Sequence, residues 1–395
     1  MIIFGNRAHY SAIGGVENSI RSMLKVVAGN NGKAVMVCRA PLQNEALDSA
    51  SLELEQGIEL VTYKDEYDQP VLRRLLYLRQ GGEVLPRVYL DLHAKYPNAT
   101  LVVRHHMHVL AAHTAGFRDI RYLVPSLTVN QLREDLLGTS VANKLRIKAH
   151  ILIDGWLQSK ALTIARLFVF SASMESQVRQ RLPARAKASS ITRVIPGVDG
   201  ARFNQASAAQ KRVCRKQLNL PEQQTLFLFV GRFVQAKGLD YLIEAFATLP
   251  DTCSVILLGE GNCEPSMRER IKSLGLGGRA LLLGRTSRVE DYYRACDVFV
   301  MSSTYEPLGQ TILEAAACGM PIAAFGPGSG VVTATHELGL DKLIAYADKL
   351  SSEDLAQAML RAVSLAATSA EGTHKDSHVV QNRYSWASLV VSLTS

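Results

Sequence analysis

The segment that decides the fold runs from Asp297 to Phe325 and reads DVFVMSSTYEPLGQTILEAAACGMPIAAF. Asp297 to Ser302 is an apolar run rich in Val and Phe, which predicts a buried strand, and Pro321 to Phe325 predicts a second. Between them, Gln310 to Cys318 has the composition of a helix, with Gly319 and Pro321 as stop signals. Strand, helix, strand in this order builds a parallel sheet. Glu306 stands just before the helix, and Leu308, Gly309, Gln310 and Thr311 are expected to present free backbone N–H groups. Free amides at a helix N-terminus favour an anion. Glu314 follows one turn into the helix. Two carboxylates beside an anion-binding turn suit a ligand with both phosphate and hydroxyl groups; two surface carboxylates on an ordinary helix are the plainer alternative.

The same chemistry recurs upstream. Thr225 to Val230 reads as a strand and is followed by Gly231-Arg232 and Lys237-Gly238. A helix comes next, with Leu239, Leu242, Ile243, Phe246 and Leu249 on one face. Arg232 and Lys237 therefore stand at a helix N-terminus, where the macrodipole disfavours positive charge by a few tenths of a kcal/mol or more. A bound diphosphate would reverse that cost. Cys253 to Leu258 is a strand ending in Gly259-Glu260-Gly261, and Ala280 to Leu283 ends in Gly284-Arg285. Gly326 to Gly330 forms a third glycine-rich loop. All three fit the crevice at the carboxyl edge of a parallel sheet.

The first half opens with a strand, Ile2 to Phe4, then a loop ending in Gly14-Gly15 and a helix marked by Val16, Ile20, Met23, Leu24 and Val27. Ala34 to Cys38 and Ile58 to Tyr63 read as strands. Val71 to Tyr96 places Arg73, Arg74, Arg79 and Arg87 among leucines, with Gly81-Gly82 and Pro86 breaking it into short helices. Such a basic amphipathic piece rests either on an anionic membrane or on the protein core. Leu101 to Val103 is a strand, and Arg104-His105-His106-Met107-His108 follows it. The histidines raise a zinc hypothesis, yet no nearby Cys, Asp or Glu completes a ligand set. Ala142 to Arg166 is a predicted helix carrying Lys144, Arg146, Lys148 and Lys160. Leu167 to Ser171 reads as another strand. Ala206 to Pro221 is polar and basic, Leu218-Asn219-Leu220-Pro221 reads as a boundary, and Tyr384-Ser385-Trp386 begins a final helix.

Size and composition agree with a two-part globular chain: 395 residues, 47% hydrophobic and 20% charged. The six cysteines have no paired spacing, which argues against a disulfide framework and for a reducing compartment. No signal peptide or spanning segment is expected. The formal net charge of +8 is unevenly placed, with residues 101–216 holding 19 Lys or Arg against 6 Asp or Glu. Such an excess points to an anionic partner or to a solvated basic surface.

Glu306 and Glu314, with Ala315-Ala316-Ala317-Cys318-Gly319-Met320-Pro321 behind them, resemble the donor-site motif of the family 4 retaining glycosyltransferases. Gly14-Gly15-Val16-Glu17 is similar to that family's N-terminal glycine turn, which faces the donor phosphates and the acceptor. Val194 to Asp199 resembles its interdomain signature, although Pro196 precedes Gly197 where the family usually has Asn. The resemblance covers most of the second half and scattered points of the first. It implies an α/β fold of the GT-B type, two Rossmann-like domains facing a central cleft. The N-terminal, acceptor-side domain would span 1–200 and be joined by a C-terminal helix at 380–395; the nucleotide-sugar domain would span 201–379.

By the same resemblance, Arg232 and Lys237 hold the donor pyrophosphate, Glu306 lies at the donor sugar, and Glu314 holds the ribose. The backbone at Gly284-Arg285 meets the nucleobase. A histidine after the fourth strand lies near the transferred sugar. The family's segment usually opens with Asp at the position of Val103, so His105, His106 and His108 remain alternatives, with His105 preferred. The implied reaction moves a sugar from a UDP- or GDP-sugar to a saccharide or lipid-linked acceptor in cell-surface polysaccharide or lipopolysaccharide synthesis. Anomeric configuration is retained. The two cations replace a metal ion, so neither metal nor cofactor is expected. Acceptor deprotonation has no clear owner; in the family it is often given to the donor phosphate. The expected location is cytoplasmic, on the inner face of the membrane if the basic surface docks there. A nucleotide-sugar epimerase of the same fold is the alternative. A nucleic-acid binder is a third reading, but the basic segment has no aromatic stacking platform.

Overall fold

The computed structural model describes residues 1–12, 14–41, 57–64, 84–129, 141–183, 186, 190–368 and 373–395. It divides into two compact units, Met1–Gly197 with Trp386–Ser395, and Val198–Ser385.

The first unit contains β1 (Ile2–Gly5), β2 (Ala34–Arg39), β3 (Ile58–Tyr63), β4 (Thr100–Val103), β5 (Ile120–Leu123), β6 (Arg166–Val169) and β7 (Ile191–Arg193). They form one parallel sheet in the order β3-β2-β1-β4-β5-β6-β7. Ile3 pairs with Val35 on one side and Leu101 on the other. Side chains alternate across the sheet, so Ile3, Val35 and Leu101 join one core and Phe4, Met36 and Val102 the other. Helices cover both faces, as a parallel sheet requires. Helix Trp386–Thr394 packs against helix Gly15–Gly29, and Arg121 Nη1 donates to the carbonyl of Leu393 over 2.6 Å. Gly197 lies against the Trp386 indole, where a Cβ would come within 2.3 Å of the ring.

The second unit contains β8 (Thr225–Val230), β9 (Cys253–Leu258), β10 (Ala280–Leu283), β11 (Val298–Met301), β12 (Tyr305–Glu306), β13 (Ile322–Phe325), β14 (Val332–Thr333) and β15 (Ile344–Ala347). Six strands build a parallel sheet in the order β10-β9-β8-β11-β13-β15, and β12 pairs separately with β14. Leu226, Leu228 and Phe299 face one core; Phe227, Phe229, Val298 and Val300 face the other. In both sheets the order reverses beside the first strand, between β1 and β4 and between β8 and β11. Loops there leave in opposite directions and open a crevice at the carboxyl ends.

Several elements differ from the expectations. Ala206 to Pro221 contains a helix, Ala208–Gln217, begun by a capping box of Ser207 and Gln210. Pro86 lies inside helix Val84–Lys95 rather than breaking it, in the first turn, where its missing N–H costs nothing. The expected helices over 71–83 lie outside the described residues. The chain crosses back to the first unit at Trp386, not at 380: helix Thr373–Arg383 stays in the second unit, where Tyr384 accepts a hydrogen bond from Val198 N over 2.9 Å. Part of the basic excess is consumed internally. Arg215 is 6% exposed and bonds the carbonyls of Ala295, Glu222 and Gln224, and Arg215 and Lys211 both pair with Asp297.

Candidate active site

The site in the second unit is assembled at the reversal between β8 and β11. A short turn, Gln235–Lys237, follows β8 and ends at Gly238 with φ of 57°. A Cβ there would stand 2.1 Å from the Ser302 carbonyl oxygen, so the position requires glycine on two counts. Ser302 Oγ donates to the Lys237 carbonyl over 2.8 Å, and Thr304 N donates to the Ala236 carbonyl over 3.0 Å. These bonds strap the loop after β8 to the loop after β11. Lys237 Nζ then forms an ion pair with Glu306 Oε2, both side chains mostly buried.

Glu306 is held from every side. Its backbone belongs to the β12–β14 pair, and its carbonyl accepts from Ala334 N over 3.0 Å. Its Oε1 accepts the Gly309 amide over 3.2 Å, and the Leu308 amide adds a second backbone hydrogen bond. The amides of Leu308 and Gly309 are thus aimed at Glu306 and are not free, as the sequence reading expected. Burial alone would raise this carboxyl; Lys237 and the two amides outweigh it and hold the group below the ordinary carboxylate range. Gly309, with φ of 78°, begins helix Gln310–Ala317, which has no side-chain cap.

Glu314 lies within that helix, 8% exposed. Tyr293 donates its hydroxyl to Glu314 Oε2 over 3.0 Å and lies 3.3 Å from the Thr311 carbonyl. Burial is the dominant influence and pushes the Glu314 carboxyl up to about 7, against the Tyr293 bond and the Arg202 charge. The two glutamates therefore bracket one helix N-terminus in opposite electrostatic states.

Arg232 is exposed and, among the described residues, has no carboxylate partner. Gly259 and Gly261 let the loop after β9 lie directly on the Arg232 turn: Cβ atoms there would reach the Gly231 and Phe233 carbonyl oxygens at 1.8 and 2.2 Å. Gly284 is exposed, and Arg285 after it pairs with Glu260 over 3.2 Å. Two surface hollows lie elsewhere. One of about 510 Å³ is lined by Glu175, Arg179 and Arg193, and one of about 170 Å³ by Lys211, Tyr293 and Asp297. Neither includes Lys237, Glu306 or Glu314.

In the first unit, the reversal between β1 and β4 brings together Asn6, Glu17, Arg104 and His105. Gly14 is extended, and a Cβ on it would stand 2.2 Å from Glu17 Oε2; Glu17 Oε1 accepts from Asn6 Nδ2 over 3.0 Å. A Cβ on Gly15 would meet nothing within 4 Å. His105 caps helix His106–Thr114, its Nδ1 accepting from Met107 N over 3.2 Å. Burial and the neighbouring His106, Arg7 and His108 hold His105 well below the usual imidazole range, so the neutral ring carries its proton on Nε2. His108 is fully buried, with Tyr63 at Nε2 over 3.1 Å and Tyr89 at Nδ1 over 2.7 Å. His106 is 3% exposed and stacks on His105. Of the three, only His105 keeps a partly open edge. Among the described residues, no group of three or more His, Cys, Asp or Glu is placed to hold a metal ion.

The straps Ser302, Thr304 and the β12–β14 pair were not legible beforehand. The glycine-rich loop 326–330, which leads into β14, was the one signal available.

Comparison with known proteins bears on the family and the fold. Residues 210–372 match the family of Glycosyl transferases group 1. Mannosylfructose-phosphate synthase of Agrobacterium fabrum is 29% identical over 222 residues, 51% of this chain and 46% of that protein. The lipopolysaccharide core biosynthesis glycosyltransferase LpsE of Rhizobium meliloti is 39% identical over 112 residues, 28% of this chain and 33% of that protein. The matched stretch thus spans between a third and about half of these relatives. Among solved structures, sucrose-phosphate synthase from Thermosynechococcus elongatus superposes with a TM-score of 0.76 at 19% identity, covering 100% of this chain and 97% of that one. HepE of Anabaena in complex with UDP superposes with a TM-score of 0.71 at 19% identity, with the same coverage. The chain has the GT-B fold of two Rossmann-like domains, and its residues 210–372 form a domain of the group 1, family 4-type, glycosyltransferases.

Proposed function

We propose that the protein is a retaining glycosyltransferase that moves a sugar from a nucleoside-diphosphate sugar to a saccharide or lipid-linked acceptor in cell-surface glycan synthesis, in the cytoplasm. The observation that carries this reading is the Lys237–Glu306 pair at the β8–β11 reversal, beside the amides of helix Gln310–Ala317. As the glycosidic bond breaks, negative charge develops on the diphosphate. Arg232 and Lys237 lie on the loop that would meet it and supply electrostatic stabilisation in place of a metal ion. Glu306 orients the sugar hydroxyls, and Glu314 accepts the ribose hydroxyls. The backbone at Gly284-Arg285 borders the base, and Gly14-Gly15 is the first-unit turn this reading assigns to donor binding. His105 is the histidine this reading assigns to the sugar, with Nε2–H as its donor.

HepE was solved with UDP, and LpsE is a lipopolysaccharide core glycosyltransferase; both support a nucleotide donor and a cell-surface product. The matched relatives quoted above carry the names of synthases and transferases, so transfer is favoured over epimerisation. The test is incubation with candidate sugar nucleotides and lipopolysaccharide or polysaccharide-precursor acceptors in excess chelator. A glycosylated product with the donor's anomeric configuration is expected; an epimerised sugar nucleotide without transfer would replace this reading.

A further inference from the structure

Helix Val141–Ile164 in the first unit turns one face fully outward. Leu145, Leu152 and Trp156 on that face are 65%, 73% and 60% exposed. Lys148, Lys160 and Thr163 are exposed beside them. The spacings of three and four residues place all six on a single stripe, about 27 Å from end to end at 1.5 Å per residue. Isolated exposed apolar residues need no explanation, but three large ones on one helix face do. Lys160 Nζ lies 5.3 Å from the centre of the Trp156 ring, so the stripe sets a cation against an indole.

The charge is equally one-sided. Between 141 and 164 the sequence holds Lys144, Arg146, Lys148 and Lys160, and Asp154 is the sole acidic residue. Asp154 points inward, 6% exposed. Unlike Lys211 and Arg215, which share Asp297 as a partner, Lys148 and Lys160 have no acidic partner among the described residues. A protein partner would match this stripe with apolar surface and carboxylates in register. An anionic bilayer matches it without register: leucines enter the acyl boundary, the indole sits at headgroup level, and lysines meet lipid phosphates. No described helix is long and apolar enough to cross a membrane, so the contact lies in the plane of the interface.

We infer that the Leu145–Leu152–Trp156 stripe, flanked by Lys148 and Lys160, docks this protein on an anionic phospholipid surface. The inference deepens the reading of a lipid-linked acceptor by naming the surface on which that acceptor would be met.

The test is co-sedimentation of the full chain with vesicles of phosphatidylcholine alone and with about one third phosphatidylglycerol. Binding is expected to the anionic vesicles and to fall steeply with salt. Lys148→Gln with Lys160→Gln should weaken it roughly 25-fold, at about fivefold per charge. Leu152→Ser with Trp156→Ser should weaken it at least tenfold while leaving the thermal midpoint unchanged, because both side chains are exposed. The chain has two tryptophans, and Trp386 is buried. Vesicles should therefore shift the fluorescence to the blue in the wild type and not in Trp156→Phe. Wild-type levels of binding in the double variants would overturn the proposal, as would failure of the wild type to bind. So would a change of oligomeric mass in Leu152→Ser with Trp156→Ser, which would make the stripe a contact between copies. Nucleotide binding, followed in parallel, reports on the transferase reading independently: a chain that binds vesicles but no nucleotide keeps the docking surface and loses the enzyme.

Discussion

Lys237 and Glu306 are 69 residues apart in sequence and form one ion pair across the reversal of the second sheet. The pair fixes where two loops meet and holds a cation and a carboxylate beside a helix N-terminus. Removing one partner strands the other in a mostly buried place. Lys237→Ala should lower stability by about 2–4 kcal/mol, and adding Glu306→Ala should restore a good part of it. A double-mutant cycle in urea measures this; strictly additive effects would mean that the two charges are not coupled.

Glu314 and Glu306 should respond to pH in opposite senses. Glu306 is held below its ordinary value of 4.5, so its contribution to stability is present above that value and lost as pH falls through the lower folded one. Glu314 is raised to about 7, so the folded state binds the extra proton, and stability from this group declines as pH rises from about 4.5 through 7. Glu314→Gln keeps an acceptor for Tyr293 and removes the titration. Its thermal midpoint should exceed that of the wild type by more at pH 8 than at pH 5, corresponding to about 1–3 kcal/mol. An equal difference at both pH values would place Glu314 outside this account.

If Glu314 holds the ribose, as proposed, it does so in its ionised form as a two-oxygen acceptor. Nucleotide affinity should therefore rise between pH 6 and pH 8 in the wild type and stay flat in Glu314→Gln. Glu314→Ala should weaken binding at least tenfold by calorimetry, and unchanged affinity would remove its assignment.

His108 should matter for stability and His105 for turnover. His108 is locked between two tyrosine hydroxyls, and burial drops it to about 3, so its contribution is present above the ordinary 6.5 and lost as pH falls between the two. His108→Phe removes the two ring nitrogens that bond Tyr63 and Tyr89 and should cost about 2–4 kcal/mol. His105→Ala should lower kcat with a smaller effect on the melting temperature. The reverse pattern, read by kinetics and calorimetry, would exchange their roles.

These differences show what a linear sequence can carry. The apolar runs of β8, β11 and β13 and the glycine turns after β8, β9 and β10 made the second unit legible, because strand burial and tight turns are local properties. Gly238 was visible as a turn glycine, but its contact with the Ser302 carbonyl depends on residues 64 positions away. The two-residue strands β12 and β14 carry no periodicity to detect, yet they orient Glu306. Likewise, the sequence presents the amides of Leu308 and Gly309 as free, because nothing in it shows a side chain folding back onto its own turn. His105, His106 and His108 could not be separated until their depths were known. The apolar stripe of helix Val141–Ile164 lies in a segment whose most visible sequence feature is its charge.

The central claim is that Arg232 and Lys237 receive the diphosphate of a sugar nucleotide without a metal ion. The most direct measurement is isothermal titration, in excess chelator, of UDP, GDP, ADP, CDP, dTDP and their sugars into the wild type and into Arg232→Ala with Lys237→Ala. The account predicts that at least one of these nucleotides binds the wild type and binds the double variant at least a hundredfold more weakly. Equal affinity in the two proteins, or binding that appears only when a divalent cation is added back, would contradict it.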